Sequence, residues 1–352
     1  SKQLHLSSNK LLGKKLKNSY DSKNKCYICK NLFYNLEPFL KLMINSSSNY
    51  VFKTYGLGVM IKPSIVDRDD FIKSKYKFKG IDSVKTDITK ELIKVFSKKT
   101  NKMLDSLDPE ITFTVNLKDE SCQLRSKSIT ISGRYIKSKR GIPQKQISCG
   151  NCSGKGCRIC DFHGISEFES VEGIISKSLF KKFGGTTAKF TWIGGEDNSS
   201  LVLGNGRPFF AKIKNPSKRK PSLSDEKFNF ISLCNLKLVN DFPKTSLNFN
   251  SKIKIKISST SQISSNNLKK LKDLKNTAIV INEKSGKRYE KKIFDISYKK
   301  NSKNVFTMTI TAEGGFPIKR FIVGDSVLPN ISTLFDTSCV IQEFDFLDIT
   351  VK

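Results

Sequence analysis

Gly133-Arg134-Tyr135-Ile136-Lys137-Ser138-Lys139-Arg140-Gly141-Ile142-Pro143-Gln144 runs almost directly into Cys149-Gly150-Asn151-Cys152-Ser153-Gly154-Lys155-Gly156-Cys157-Arg158-Ile159-Cys160. The second half is the easier to read. Each CxxC turn can present two thiolates to one side, and the Ser-Gly-Lys-Gly link lets the chain fold back sharply, because glycine tolerates positive φ. Four thiolates at tetrahedral spacing suit a structural zinc ion that holds a loop with no core of its own. A four-thiolate set leaves no open coordination position, so catalytic zinc is not expected. Cys149, Cys152, Cys157 and Cys160 are therefore the expected metal ligands. His163 follows them as a surplus residue, read as a surface or packed histidine.

Working outward, six of the nine cysteines fall in CxxC pairs. In a chain too large to need disulfides, that usage points to metal ligation in a reducing compartment. Cys26-x-x-Cys29 stands alone in its region, either as a half-site or as a pair of thiols. Cys122, Cys234 and Cys339 read as small buried apolar residues. No run approaches the roughly 18 apolar residues of a membrane helix, and the start Ser1-Lys2-Gln3-Leu4-His5 has no secretory apolar core. A soluble, cytoplasmic protein without membrane association is expected.

The 352 residues carry 63 basic against 32 acidic side chains, a formal charge of +31. Such an excess favours a polyanionic partner through phosphate neutralisation and counterion release. A Lys-, Asn- and Ile-rich composition of the kind an AT-rich genome produces explains part of the lysine. Only nine of the basic residues are Arg, and five of these (Arg134, Arg140, Arg158, Arg207, Arg320) lie inside the motif-bearing stretches. Arginine kept where lysine would serve hints at use of its planar, bidentate fork.

Periodicity gives an α+β chain. Helices are expected over the first 50 residues, including 32–43, and over 83–98, 170–183 and 265–276. Strands are expected at 50–52, 59–61, 111–115, 128–132, 278–283, 291–298, 305–312 and 340–351, with a turn at Gly56-Leu57-Gly58. Ser251-Lys-Ile-Lys-Ile-Lys-Ile257 alternates strictly, with Ile on one face and Lys on the other. Residues 214–222 read as an exposed loop.

The motif order carries more. Gly133-Arg134-Tyr135 through Gln144, then Ser170-Val171-Glu172, Gly184-Gly185, Glu196-Asp197 and Gly204-Asn-Gly206-Arg207-Pro208-Phe209, closely resembles the archaeal tRNA pseudouridine synthases that modify uridines 54 and 55 of the T loop. The stretch Gly314-Gly315-Phe-Pro-Ile318-Lys319-Arg320-Phe321, with Gly324-Asp325 and Pro329-Asn330, resembles that family's C-terminal motif. Asp69-Asp70 and Ser83-Val84-Lys85 with Glu91-Leu92 resemble a THUMP-type RNA-binding module. The resemblance implies three parts: a THUMP-like α/β RNA-binding domain over 1–140, the zinc knuckle over 141–165, and a pseudouridine synthase domain built on a mixed, mainly antiparallel sheet over 166–352. It implies a tRNA partner, a monomer and no catalytic cofactor.

The family's essential Asp follows Gly-Arg-Glu. Here the match is Gly194-Gly195-Glu196-Asp197, which makes Asp197 the candidate catalytic carboxylate. The resemblance also implies a basic partner for it, Lys319 first and Arg320 second. Arg134, Arg140, Arg207 and Arg320 are the substrate-binding candidates, with Arg207 alternatively a brace for the catalytic loop. Phe190 and Trp192 could stack on a base but read better as core. Two departures stand out: the family Arg before Glu-Asp is Gly195, and the strand 251–257, where a pocket Tyr is expected, holds Ile253 and Ile255. Tyr289 is the candidate substitute from elsewhere. These departures keep open a second reading, a catalytically weakened tRNA-binding or chaperone protein on the same fold. A zinc-dependent DNA-binding regulator has only charge and the knuckle in its favour.

Overall fold

The computed structural model describes residues 25–352 apart from 241, 242, 244 and 246. The expected helical content of the first 24 residues lies outside the described residues. The chain divides into two compact units, one of residues 25–128 with 215–220, the other of 129–214 with 221–352.

The first unit has helix α1 (Glu37–Ser47), strand β1 (Thr54–Met60), helices α2 (Pro63–Lys75) and α3 (Val84–Thr100), and strands β2 (Met103–Leu104), β3 (Ile111–Asn116) and β4 (Ser121–Ser126). Its sheet runs in the order β2-β1-β3-β4, with β1 parallel to both neighbours and β4 antiparallel to β3. Ser83 starts α3 by accepting the Thr86 amide at 3.1 Å, and Asn101 ends it in the left-handed region. Ile88, Leu92 and Phe96 repeat at helical spacing and are buried. Tyr55, Phe96 and Phe113 meet edge to face, with ring centroids 4.8 to 6.1 Å apart. The Gly56-Leu57-Gly58 turn is not found. Those residues lie inside β1, where Gly56 leaves room for the Pro109 ring 3.1 Å from where a Cβ would stand.

The second unit opens with β5 (Ile129–Lys137). Strand β5 lies between β7 (Leu201–Lys214) and β9 (Ile231–Val239), deep in the large sheet. Helix α4 (Val171–Phe183) precedes β6 (Thr187–Trp192), and β8 (Glu226–Phe228) precedes β9. After β10 (Phe249–Ser259) come α5 (Ser265–Lys270), β11 (Ala278–Asn282), β12 (Arg288–Lys300), β13 (Val305–Glu313), α6 (Ile318–Val323), β14 (Val327–Leu328), α7 (Ile331–Phe335) and β15 (Cys339–Val351). The 11-stranded sheet follows the order β14-β11-β12-β13-β10-β15-β7-β5-β9-β8, with β6 paired to β7. It is antiparallel except for the short parallel contact of β15 with β7.

The Ile-Lys alternation works as its period requires. Ile253, Ile255 and Ile257 are buried, while Lys252 and Lys254 face water. Paired to β13 on one side and β15 on the other, β10 is the middle of this half of the sheet. Val171, Ile175, Leu179 and Phe183 of α4 pack into the same core. Ser170 caps that helix by accepting the Gly173 amide at 2.9 Å, and Gly184 closes it at φ 63°.

Ile255 has no exposed surface, so Ile255→Ala leaves a cavity that neighbouring strands cannot fill. A loss of about 2–5 kcal/mol is expected, read as a lower denaturant midpoint at unchanged slope.

Candidate active site

Strand β5 turns Ile131, Gly133, Tyr135 and Lys137 to its buried face, at every second residue. Gly133 is required there: a Cβ would come within 2.6 Å of Leu236 and 3.0 Å of the Phe209 ring. Lys137 is the exceptional member, a fully buried ammonium, and a buried charge must be paired. Its partner comes from the loop after β6. Lys137 Nζ lies 3.0 Å from Glu196 Oε1, with both side chains sealed from solvent. Tyr135 donates its hydroxyl to Glu196 Oε2 at 2.8 Å and receives Gln144 Nε2 at 3.0 Å. Burial pushes the Tyr135 phenol well above its ordinary range, so it stays protonated and remains a donor. Arg207 of β7 completes the group. It is fully buried, its Nε lies 3.7 Å from Glu196 Oε2, its Nη1 donates to the Ile193 carbonyl at 2.8 Å, and its guanidinium stacks over Phe346 at 4.3 Å. Among the described residues, its Nε and Nη2 have no hydrogen-bond acceptor.

This network fixes the backbone on which Asp197 sits. The Asp197 carbonyl accepts Lys137 Nζ at 3.3 Å and Ser200 Oγ at 2.8 Å. Its carboxylate points the other way and is partly exposed. Lys319 Nζ, at the start of α6, approaches Oδ2 at 2.5 Å, while the Ser199 amide and hydroxyl donate to Oδ1 at 3.0 and 2.6 Å. The Lys319 ammonium, helped by the two Ser199 donors, lowers the Asp197 carboxyl to about 2. The group is therefore ionised throughout the neutral range. Lys319 itself is largely exposed, so the contact sets charge and direction more than it adds stability.

The other sequence candidates fall elsewhere around this loop. Arg140 clamps the following residues: Nη1 donates to the Ser199 carbonyl at 2.5 Å and its guanidinium pairs with Asp345 at 2.7 Å. Arg134 gives Nε to Asn205 O at 2.6 Å, and Nη2 to Gly206 O at 2.8 Å and Ile349 O at 2.5 Å. Arg320 turns away from Asp197, toward Glu283 Oε1 at 3.1 Å and the Asn282 carbonyl at 2.6 Å. Tyr289 bonds the same Glu283 at 3.0 Å. Phe190 and Trp192 stack on each other at 5.0 Å and pack against Phe209. Lys137 and Glu196 as a buried pair were not singled out from sequence. The signal was available: a lysine in phase with Ile131, Gly133 and Tyr135 on the inward face of a strand.

Two cavities adjoin the segments bearing Asp197 and Lys319. An open cleft of about 740 Å³ is lined by Lys189, Trp192, Phe249, Lys291, Gly314 and others. A small inner pocket of about 50 Å³ is lined by Gly194, Gly195, Arg207, Phe249, Phe316 and Phe346 among others.

The four knuckle sulfurs lie within 4.8 Å of one another, and Cys160 Sγ is 3.8 Å from Cys152 Sγ and 3.7 Å from Cys157 Sγ. Tetrahedral thiolates at about 2.3 Å from an ion stand about 3.8 Å apart, so the cluster fits a metal ion. Backbone amides of Gly156, Cys157 and Gly164 point at its sulfurs, each at 3.2 Å. Gly156, at φ 92°, has no room for a Cβ, which would meet the Phe162 carbonyl at 2.6 Å. His163 stays outside the cluster, stacked on Phe180 at 4.2 Å with Nδ1 2.8 Å from the Thr186 carbonyl.

Lys137→Met removes one partner of the buried pair and strands Glu196. A destabilisation of about 3–5 kcal/mol is expected, measured by chemical denaturation, with the double variant Lys137→Met/Glu196→Gln recovering part of it.

The family model described as "Pus10, C-terminal" matches residues 130–350, and that described as "Pus10 THUMP domain, archaeal" matches 39–116. A protein of Nitrosopumilus maritimus named tRNA pseudouridine synthase Pus10 is 61% identical over the whole of this chain and 92% of its own length. A protein of the same name from Cenarchaeum symbiosum is 33% identical over 94% of this chain and 83% of its own. One from Methanosphaera stadtmanae is 27% identical over 93% and 89%. A four-stranded N-terminal unit of the THUMP type, a four-cysteine cluster and a large, mainly antiparallel sheet thus occur together in a chain that belongs to the Pus10 family of pseudouridine synthases.

Proposed function

We propose that the chain isomerises uridine to pseudouridine at positions 54 and 55 of the tRNA T loop, with Asp197 as the catalytic carboxylate. The observation that carries the reading is the Asp197–Lys319 contact. It keeps an ionised carboxylate facing outward from a loop whose opposite side is anchored by Lys137 and Glu196. The reaction breaks N1–C1′, turns the uracil in place and forms C5–C1′. A proton leaves C5 and one is gained at N1, so no atom is lost overall. An ionised carboxylate can attack the ribose or take a proton from it, and can serve as base without a cofactor. The target uridine must leave its stack to reach it. Lys319 holds Asp197 in the anionic form. In this reading Arg134 and Arg140 act as braces, since their donors are largely committed to protein acceptors, and Arg207 braces the loop through Ile193 and Glu196. The remaining lysine excess serves phosphate contacts with tRNA, and the protein acts as a monomer.

The second reading, a weakened tRNA-binding protein, draws on Gly195. No atom of the described residues lies within 4 Å of where its Cβ would be, so none of them excludes a side chain there. That reading requires salt-sensitive tRNA binding with no isomerisation.

Unmodified tRNA transcripts, incubated with the protein and mapped for pseudouridine at single-nucleotide resolution, separate the two. Asp197→Asn should remove product by a factor of at least about 10³ while tRNA binding stays within about threefold. Product at the wild-type rate from this variant would defeat the assignment.

The pH dependence follows from the lowered Asp197 carboxyl. Its charge stabilises the fold above the unfolded-state value of about 3.9, and that contribution is lost as pH falls toward 2. Between pH 5 and 8 Asp197 should contribute no acid limb to kcat/KM. Lys319→Met removes the main lowering contact and should move the onset of acid inactivation upward.

For the knuckle we propose structural zinc. Purified protein should hold about one zinc per chain in this cluster, and Cys157→Ser should release it and lower thermal stability without changing the chemistry at Asp197.

A further inference from the structure

The Arg207 guanidinium is wholly buried, yet among the described residues Nε and Nη2 have no hydrogen-bond acceptor, Nε meeting Glu196 only as an ion pair at 3.7 Å. An unsatisfied charged donor in the interior is costly, and buried donors are paired in the great majority of cases. The same side chain lines the inner pocket, together with Phe249, Phe316 and Phe346. An arginine edge and aromatic walls form a site for a flat, apolar-faced ligand with carbonyl acceptors on its rim. Uracil has that chemistry.

Phe249 is placed to control entry. Its residue lines both the outer cleft and the inner pocket, as do Gly194, Glu313 and Gly315. Its ring fits between two glycines. A Cβ at Gly194 would meet Phe249 Cζ at 2.6 Å, and one at Gly314 would meet the same atom at 2.5 Å. Gly194 leads into the Asp197 loop, and Gly314 leads through Phe316 to Lys319. At about 50 Å³ the inner pocket is well below the 300 Å³ or more of ordinary ligand sites. A base can occupy it only if an aromatic wall turns aside, and Phe249 is the ring that also borders the outer cleft.

We infer that Phe249 is the aromatic platform of the uracil site in this chain. Its ring swings toward the outer cleft to admit the flipped base and stacks on it, while Arg207 Nη2 donates to a base carbonyl. Phe249 thereby supplies, from the first residue of β10, the stacking face that Ile253 and Ile255 lack. Having no hydroxyl, it cannot take a proton from C5, so in this chain stacking and proton removal belong to different groups. Arg207, already held against Glu196, links base recognition to the loop that carries Asp197. The inference rests on the pseudouridine synthase reading of the site.

Single-turnover pseudouridine formation and tRNA binding are measured in parallel on unmodified transcripts for wild type, Phe249→Tyr, Phe249→Leu and Phe249→Ala. Base stacking is lost in the last two, so the rate should fall about tenfold or more while tRNA affinity stays within about threefold. Phe249→Tyr keeps the stacking face and should be faster than Phe249→Leu. Phe249→Leu at the wild-type rate, or Phe249→Tyr as slow as Phe249→Leu, overturns the platform role. Should Phe249→Ala fail to fold, the Leu and Tyr pair decides alone. The Arg207 donor is tested with the wild-type protein, so that folding is not at issue. The target uridine is replaced by 2-thiouridine or by 4-thiouridine, whose sulfur is a weaker acceptor, and one of the two should react more slowly. Both at the uridine rate remove the Arg207 contact from the proposal. Wild type that forms no pseudouridine on any transcript sinks the activity reading and this inference with it. Product from wild type with no Phe249 dependence sinks this inference alone.

Discussion

The buried ion pair between Lys137 and Glu196 is the constraint on which the site is built. Desolvating an ammonium and a carboxylate costs several kcal/mol each, which their attraction offsets only when geometry is good and the remaining polar atoms are served. Here Tyr135 serves one carboxylate oxygen, while Ile142 and Asp197 give their carbonyls to the lysine. A hydrophobic pair of equal volume would do as well for stability alone. What it could not do is tie three separate pieces of chain together: strand β5, the segment leading into the cysteine knuckle, and the loop bearing Asp197. The charged pair makes those three positions interdependent.

The knuckle is linked to this network through its flanks. Its cysteines have no apolar core around them, apart from Cys149, so the loop depends on ligation for its shape. Its flanks return to the catalytic unit. The Pro143 and Gln144 carbonyls receive the first amides of α4, and Gln144 reaches Tyr135 through its side chain. A metal ion at the four sulfurs would hold the entry to α4 without touching a reacting atom. Such a contribution would be positional, in keeping with a complete four-thiolate set.

Much of this was legible in the sequence, for identifiable reasons. The 251–257 alternation and the helix over 83–98 are strong periodic signals bounded by caps, and they appear within a few residues of the expected places. Gly56-Leu57-Gly58 misled because two glycines in three residues suit a turn; here one of them makes room for Pro109 across the sheet. The end of the first unit at 128 was obscured because β5 follows β4 after two residues yet pairs with strands some 70 to 110 positions later. Such long-range pairing leaves no local trace. Asp197 and Lys319 came from motif order, and nothing local in either stretch announces that residues 122 positions apart will touch.

The motif departures have a physical logic. Among the described residues nothing crowds a side chain at Gly195, so the glycine relieves no clash with them. Arg207 is a guanidinium buried beside the Glu196 carboxylate, with Nε and Nη2 lacking a hydrogen-bond acceptor among the described residues. Its orientation is over-determined: Phe346 supports one face, Ile193 takes Nη1, and Gly194 exists without a side chain because a Cβ would sit 2.8 Å from that nitrogen. A side chain so rigidly held loses little further entropy when it makes one more bond. A flexible, exposed arginine at position 195 would have to be ordered at each encounter. The chain therefore retains the donor whose geometry is already set, at the point where the loop of Asp197, the aromatic walls and the buried pair converge.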